Sequence, residues 1–594
     1  NQVDLLKGST IMATSNESSG KSLVDLGPGG GSGVERIKLE SRHLRGRLAE
    51  DLKDSSTPTL SPGQEQLIKF HGIYQQEDRD ARQARKAAGV AKEYNFMVRS
   101  RIPGGAVTPE QYLTQDDIAG RFANGTLRIT TRQGFQLHGV LKGDLQPTIQ
   151  SINEALLSTL AACGDVNRNV MACAAPVSSR LHSQVQEVAH KLAMHLAPKS
   201  GAYHEIWIDG ESVATVETPQ DESEPLYGDT YLPRKFKIGV AFPGDNCVDI
   251  YTQDVGLVAE LDNEELVGFT VLIGGGMGMT HGKAETYPRL ATPLCFATPE
   301  EVVEIVESIV TVQRDFGDRT NRKHARMKYL VEERGIAWFR AEVERRLGRF
   351  LCAARTIEWH GVDDHLGWHQ QADGRLFLGL WVENGRIKDT PSIRLRAGLR
   401  RVVETFSPGI RLTGQQNILL TDIEPGDRAA IEAMLAEHGI QADPDASGNV
   451  GRHALSCPAL PTCGLALSDA ERALPDVVRQ VEHDMAEIGL SGEKLSIRMT
   501  GCPNGCARPY MGDIGLVGKT RDVYNVYLGG DWANTRMNTL FAPSVRLEEL
   551  APTLKPLLVL WRDEREDDDE TFGDFVHRVG PDYLRSAGAV SQSA

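Results

Sequence analysis

Two hydrophobic periods alternate along this chain. In residues 301–315, EVVEIVESIVTVQRD, and again in 427–439, apolar side chains return every three or four positions, the repeat of a helix with one buried face. In TLRITTRQGFQLHGVL, 126–141, and YNVYLGG, 524–530, the repeat shortens toward two and predicts strands. Helical and β-rich stretches succeed one another throughout, so the pattern predicts a mixed chain of the α+β or α/β kind.

The strand patterns also repeat. TLRITTRQGFQLHG at 126–139 echoes GIRLTGQQNILLTD at 409–422, setting Arg128 against Arg411, Thr130 against Thr413 and Gln133 against Gln416. A second echo follows each copy: DVGLVA at 254–259 then LIGGG at 272–276, and DIGLVG at 513–518 then YLGG at 527–530. Order and spacing are kept, which predicts two related halves, each a β-rich unit followed by a larger α/β unit. A shared site belongs where such halves meet. The Gly/Ser-rich stretch ending in GPGGGSG, 27–33, reads as a flexible leader, so ordered structure is expected from about Val34. RDEREDDDE at 562–570 reads as a solvated acidic face.

At 594 residues the chain has room for several packed units and needs no disulfide staple. Nine cysteines, an odd and sparse set, argue for reduced thiols in a reducing, cytoplasmic setting. No run of eighteen apolar residues predicts a membrane span, and a formal charge of -16 opposes a nucleic-acid partner while leaving room for a basic pocket.

Four of the nine cysteines fall into two pairs, Cys457 and Cys463 in CPALPTC, and Cys502 and Cys506 in TGCPNGC. A gap of five residues containing two prolines makes a poor zinc knuckle, whereas an iron-sulfur cluster accepts thiolates from wider loops. Spacing favours the cluster and leaves zinc and unrelated buried thiols open. Cys163, Cys173, Cys247, Cys295 and Cys352 show no pairing and read as small buried residues.

The first half is rich in cations at loop-like positions: Arg99, Arg101, Arg128, Arg132, His138, Arg168, Arg234, Lys235 and Lys237. In KFK, alternation puts both lysines on one face and Phe236 on the other. Two ammonium groups so placed repel unless an anion lies between them, which points to a polyanionic cofactor or a small oxyanion. LIGGGMGMTHG at 272–282 misses the dinucleotide-loop order, and no phosphate-loop signature occurs, so reducing power has to come from another protein.

With FHGIYQQEDRD, RSRIPGG, TRQGFQLHG, NRNV, LPRKFK and QRDFGDRTNRKHARMKYL added to the two cysteine motifs, residues 35–578 resemble the assimilatory sulfite reductase hemoproteins of the sulfite/nitrite reductase family. The resemblance implies an α+β fold of two pseudo-symmetric halves around siroheme and a [4Fe-4S] cluster. It implies units at 1–34 (leader), 35–160 and 346–445 (ferredoxin-like), 161–345 (siroheme-binding α/β) and 446–594 (iron-sulfur/siroheme α/β with a C-terminal tail). Cys457, Cys463, Cys502 and Cys506 match the cluster ligands, with Cys506 shared with the siroheme iron. Arg99, Arg168, Lys235 and Lys237 match the substrate cations, and Arg128, Arg132, Gln136 and His138 lie in stretches like those that line siroheme. Lys237, where nitrite-type relatives tend to carry an amide, makes sulfite the expected substrate and nitrite reduction to ammonia the alternative. Lys235 is the expected proton donor. The expected electron donor is ferredoxin, from CPALPTC and CARPYM, with a flavoprotein reductase subunit as the other choice. Glu93 stands where some relatives have a siroheme-contacting arginine. From different classes, a zinc-stabilised binding module and a passive electron carrier remain as rivals.

Overall fold

The computed structural model describes residues 31–177, 179–209, 224–263 and 265–587. Most of the stretch read as a leader, and the end of the C-terminal tail, lie outside the described residues; the first described helix is Gly33–Leu39. The two long amphipathic patterns form helices Val302–Phe316 and Arg428–Glu437.

Four five-stranded sheets carry the architecture, in two matched pairs. The first pair is built from the repeated strand motif. In the first half, strands Tyr94–Arg99, Leu127–Ile129 and Phe135–Val140 pack with helices Pro109–Arg121 and Leu145–Glu154. In the second half, strands Leu376–Leu380, Gly409–Leu412 and Ile418–Ile423 pack with helices Leu395–Phe406 and Arg428–Glu437.

The halves exchange strands. Ala106–Val107, from the first half, pairs with Gly409–Leu412 of the second, and Arg386–Ile387, from the second, pairs with Leu127–Ile129 of the first. Each exchanged strand covers an edge that would otherwise expose unpaired backbone groups. Gln133 and Gln416, the echoed glutamines, both adopt positive φ, 53° and 70°, and reach across the same junction. Gln133 Nε2 donates to Leu412 O at 2.9 Å, and Gln416 Nε2 donates to Ile129 O at 3.3 Å.

The second pair shares one topology. Met171–Ala172, Ile238–Ala241, Val255–Asp262, Glu265–Ile273 and Thr292–Ala297 run in that sheet order, and Leu455–Ser456, Ile497–Thr500, Ile514–Thr520, Val523–Leu528 and Thr539–Arg546 run likewise. In both, the first three strands are parallel and the last two antiparallel. The α+β class and the twofold repeat expected from the sequence are therefore present. One core runs through residues from Leu44 to Ile440, and a second, from Val450 to Leu584, belongs to the last unit alone. Among the described residues no helix is long and apolar enough to cross a membrane.

Candidate active site

The two cysteine motifs meet at the carboxyl ends of the parallel strands in the last sheet. Cys457 follows Leu455–Ser456 and its N–H donates to Met499 O at 3.3 Å, while Cys502 and Cys506 lie on the turn after Ile497–Thr500. Glycine is required on that turn: a Cβ on Gly501 would lie 2.5 Å from Ser468 O and 2.6 Å from Ala459 Cβ. The same closeness lets Gly501 N–H donate to Cys457 Sγ at 3.4 Å. Burial and the neighbouring sulfurs push the Cys457 thiol well above the usual thiol range and Cys502 up to about 11. Cys457 and Cys502 are buried, Cys463 half-buried and Cys506 exposed.

The Gly-rich loop that failed as a dinucleotide motif has a different role. It packs on the cysteine turn, with Met279 N–H donating to Pro503 O at 2.8 Å, and a Cβ on Gly505 would sit 3.0 Å from Met277 O.

The expected cations come from two adjoining surfaces. On the first sheet, the register sets Arg99 beside Gln136, Gln136 beside Arg128, and Arg128 beside Arg386, so all four share a face, with His138 two positions along from Gln136. On the first α/β unit, Arg168 N–H donates to Phe236 O at 2.9 Å and Phe236 N–H to Val166 O at 3.0 Å, which fixes the Arg168 loop against KFK. Phe236 is buried, and Lys235 and Lys237 project on the opposite side half-buried. Neither lysine's Nζ has a hydrogen-bond or ion-pair partner among the described residues, although the Lys237 backbone is hydrogen-bonded. Burial, then Arg168 and Arg234, lower Lys235 to about 7 against an opposing pull from Cys506; burial, then Lys235 and Arg132, hold Lys237 well below the usual lysine range. Both lysines thus feel the neighbouring arginines, and more weakly Cys506.

Beneath them lies a buried charge network. Lys38 contacts Glu35 at 2.5 Å and donates to Leu232 O at 2.7 Å, Arg322 pairs with Asp165 at 2.6 Å, and Lys237 N–H donates to Asp254 Oδ2 at 2.9 Å. These groups anchor both ends of the KFK segment and the start of the Arg168 loop.

The remaining expected residues divide. Arg132 donates to Gln253 Oε1 at 2.8 Å and Asn169 O at 2.6 Å, but among the described residues its buried Nε has no partner, nor has that of Arg99, nor has either ring nitrogen of buried His138. Arg99 also donates to Cys163 Sγ at 2.8 Å. Arg128 is instead matched by protein: its Nε donates to Glu471 Oε2 at 2.9 Å and its Nη2 to Ser456 O at 3.0 Å, one residue before Cys457. Burial pushes the Glu471 carboxyl up, but Arg128 and Arg386 outweigh it and hold the group at about 2.

Two residues that sequence reasoning passed over tie the centre together. Arg508, two residues past Cys506, pairs through Nε with Asp249 and donates to Thr131 O and Gly414 O, each at 2.9 Å. Its acceptors come from both ferredoxin-like halves and the first α/β unit. Asp249 also accepts from Arg498 at 2.8 Å. Arg508 stands inside the quoted CARPYM, but nothing in the spacing marks Asp249.

The site suits a metal cluster beside a polyanionic ring. Among the described residues, the one His/Cys/Asp/Glu group with ligand atoms all within 4.8 Å is Cys173, Asp245 and Cys247, so no three of the four sulfurs are that close. A tetrahedral zinc with bonds of about 2.3 Å would hold its sulfurs roughly 3.8 Å apart. The wider set fits a cluster, and the unpaired lysines, arginine nitrogens and imidazole fit carboxylates and an oxyanion.

Comparisons with known proteins agree. The nitrite and sulphite reductase 4Fe-4S domain matches residues 187–351 and 447–590, and the nitrite/sulfite reductase ferredoxin-like half domain matches 90–155 and 369–438. The chain is 49% identical over 549 residues to a sulfite reductase [NADPH] hemoprotein beta-component of Myxococcus xanthus, covering 92% of this chain and 96% of that one. To the protein of the same description from Geobacillus thermodenitrificans it is 48% identical, with the same coverage. The solved structure of Mycobacterium tuberculosis NirA protein superposes with a TM-score of 0.73 at 22% identity, over 93% of this chain and 96% of that one, a likeness of fold.

Proposed function

The chain belongs to the nitrite and sulphite reductase family, its reaction is the six-electron reduction of sulfite to sulfide, and we propose that Cys457, Cys463, Cys502 and Cys506 hold its [4Fe-4S] cluster beside siroheme. When bound, this pair supplies an iron site for the substrate's sulfur and a path for single electrons. Cys506, the exposed sulfur of the four, would hold the cluster next to the siroheme. Arg132, His138 and Gln136 line the siroheme, and Arg128 acts one step back by gripping Ser456 and so orienting Cys457.

Arg99, Arg168, Lys235 and Lys237 bind the sulfite oxygens. Sulfite is a dianion, so a second lysine adds attraction that nitrite, a monoanion, would use less. As S–O bonds weaken, the four cations neutralise charge gathering on oxygen. Arginine cannot release its proton at working pH, so protons pass from the lysines or from water they hold, with Lys235 Nζ the donor.

What supports this reading is a pair of half-buried lysines on one face of the KFK segment, each close enough to Cys506 for a negative charge there to raise its pKa against burial and the arginines. The Cys506→Ser variant tests it. Activity should fall below about 1% of wild type, beyond the 10- to 100-fold typical of outer-shell changes, with loss of iron and of the siroheme absorption band. A variant with normal spectrum and turnover would remove Cys506 from the centre.

For the donor, the names of the relatives favour an NADPH-oxidising component over ferredoxin, and the chain itself has no nicotinamide or flavin motif. Turnover measured with a flavoprotein reductase and with reduced ferredoxin separates the two.

A further inference from the structure

The first α/β unit carries a thiol pair at the positions corresponding to the cluster ligands. The two five-stranded sheets share one order, and in each a cysteine follows the two-residue first strand. Cys173 N–H donates to Val240 O at 3.1 Å on the second strand, as Cys457 N–H donates to Met499 O at 3.3 Å. The loop after the second strand, which in the last unit holds Cys502 and Cys506, here holds Cys247. The sequence reading of these two cysteines as unpaired is therefore corrected: 74 residues apart, their sulfurs lie 2.9 Å from each other.

The surroundings bear on what the pair can do. Cys173 Sγ accepts from Cys247 S–H and, at 3.1 Å, from Phe242 N–H. Asp245 completes a three-ligand group with them, but its oxygens are engaged: Oδ1 accepts from Cys247 N–H at 3.0 Å and Asp363 N–H at 3.2 Å, and Oδ2 faces His365 Nε2 at 3.1 Å. A separation of 2.9 Å is well under the roughly 3.8 Å a zinc ion imposes and within about 1 Å of a disulfide bond. With the carboxylate occupied and the sulfurs this close, oxidation is favoured over a metal.

We propose that Cys173 and Cys247 form a second redox site, a dithiol that a hydroperoxide closes reversibly to a disulfide. Cys247, a residue 7% exposed against 0% for Cys173, is the thiol assigned to react first. Because its hydrogen bond with Cys173 and its burial raise its pKa well above the usual thiol range, closure is slow and needs sustained peroxide. Cys247 takes one oxygen as the O–O bond breaks, leaving water or an alcohol, and becomes a sulfenic acid. Cys173 Sγ then attacks Cys247 Sγ, the S–O bond breaks, and hydroxide leaves as water with the Cys173 proton. Two thiols give up two electrons, and the hydroperoxide accepts them. The new bond would tether the Asp245–Asp249 loop to strand Met171–Ala172, and so report on the loop whose Asp249 holds Arg508 and Arg498.

The test uses the cofactor-loaded enzyme, treated with hydrogen peroxide, blocked with N-ethylmaleimide and digested without reductant. A peptide joining Cys173 to Cys247, two hydrogens lighter than the separate peptides and abolished by dithiothreitol, should go from absent to the majority form. The Cys247→Ala enzyme, checked for wild-type iron content, should give no such peptide. Sulfinic acid at Cys247 without the cross-link, or both cysteines recovered wholly as maleimide adducts, would overturn the proposal. So would a stoichiometric zinc protecting both thiols and released by a chelator.

Discussion

Replacing Arg508 by lysine probes the joint between the four units. The guanidinium satisfies three acceptors at once: the buried Asp249 carboxylate and Gly414 O, and the half-buried Thr131 O. An ammonium at the end of a lysine stem keeps the charge and can stay with Asp249, but it cannot span the arc to both carbonyls. Each such carbonyl left without a donor costs about 1–3 kcal/mol, so two cost about 2–6 kcal/mol, and about 3 kcal/mol is a fair central figure once local water entry is allowed. For a unit of this size that lowers Tm by about 6–12 °C. The assay is thermal unfolding of the loaded enzyme followed at the siroheme band, with iron content measured before heating. Arg562→Lys, on an exposed arginine paired with Asp563 on the surface, should stay within about 2 °C of wild type. An Arg508→Lys enzyme as stable as that control, with full iron, would refute the reasoning.

The Lys237→Asn enzyme should lose about 10- to 100-fold in kcat/KM for sulfite, the worth of one charge-assisted contact, and much less for nitrite; equal losses for both anions in steady-state assays would count against the dianion argument. Glu471→Gln should cost about 3 kcal/mol at neutral pH by leaving Arg128 and Arg386 without their anion. Because the folded pKa of Glu471, about 2, lies below the ordinary glutamate value, that stabilisation is complete above about pH 4.5 and disappears as pH falls toward 2. The difference in denaturation midpoint between wild type and variant should shrink over that range, and a difference constant from pH 7 to 3 would contradict the ion-pair account.

Local pattern carried a large part of this structure. Apolar spacing located helices 302–316 and 428–437 to within a residue or two, and alternation in KFK put Phe236 inward and both lysines outward. The repeated motif exposed the twofold plan because strands of three or more residues leave a readable period. The exchanged strands did not, since two residues such as Ala106–Val107 or Arg386–Ile387 carry no period and their partners lie in the other half. Long-range charge pairing was equally opaque. Arg128 reads as a cofactor arginine, but nothing in its own stretch marks Glu471, 343 positions away, as its ion-pair partner, and Asp249 meets Arg508 across 259 positions. Cys173 and Cys247 escaped notice for the same reason, as neither belongs to a short motif.

The matched sheets show how a symmetric frame can hold an asymmetric site. The strand exchange makes each ferredoxin-like sheet depend on the other half for an edge, so the two copies are locked together by backbone hydrogen bonds that no side-chain change disturbs. Side chains on the loops are then free to diverge. Arg132 in one copy corresponds to Gln415 in the other, and the turn with Cys502 and Cys506 corresponds to the loop with Cys247 alone. On the proposed assignment one copy supplies cations and the other thiols, because the loops of a symmetric frame can diverge independently. Arg508 stands among these loops with an acceptor from each of the other three units. A positive charge there, held by Asp249 behind the Cys506 turn, would counter the charge that four thiolates accumulate, which is a reason for arginine at a point where all four units meet.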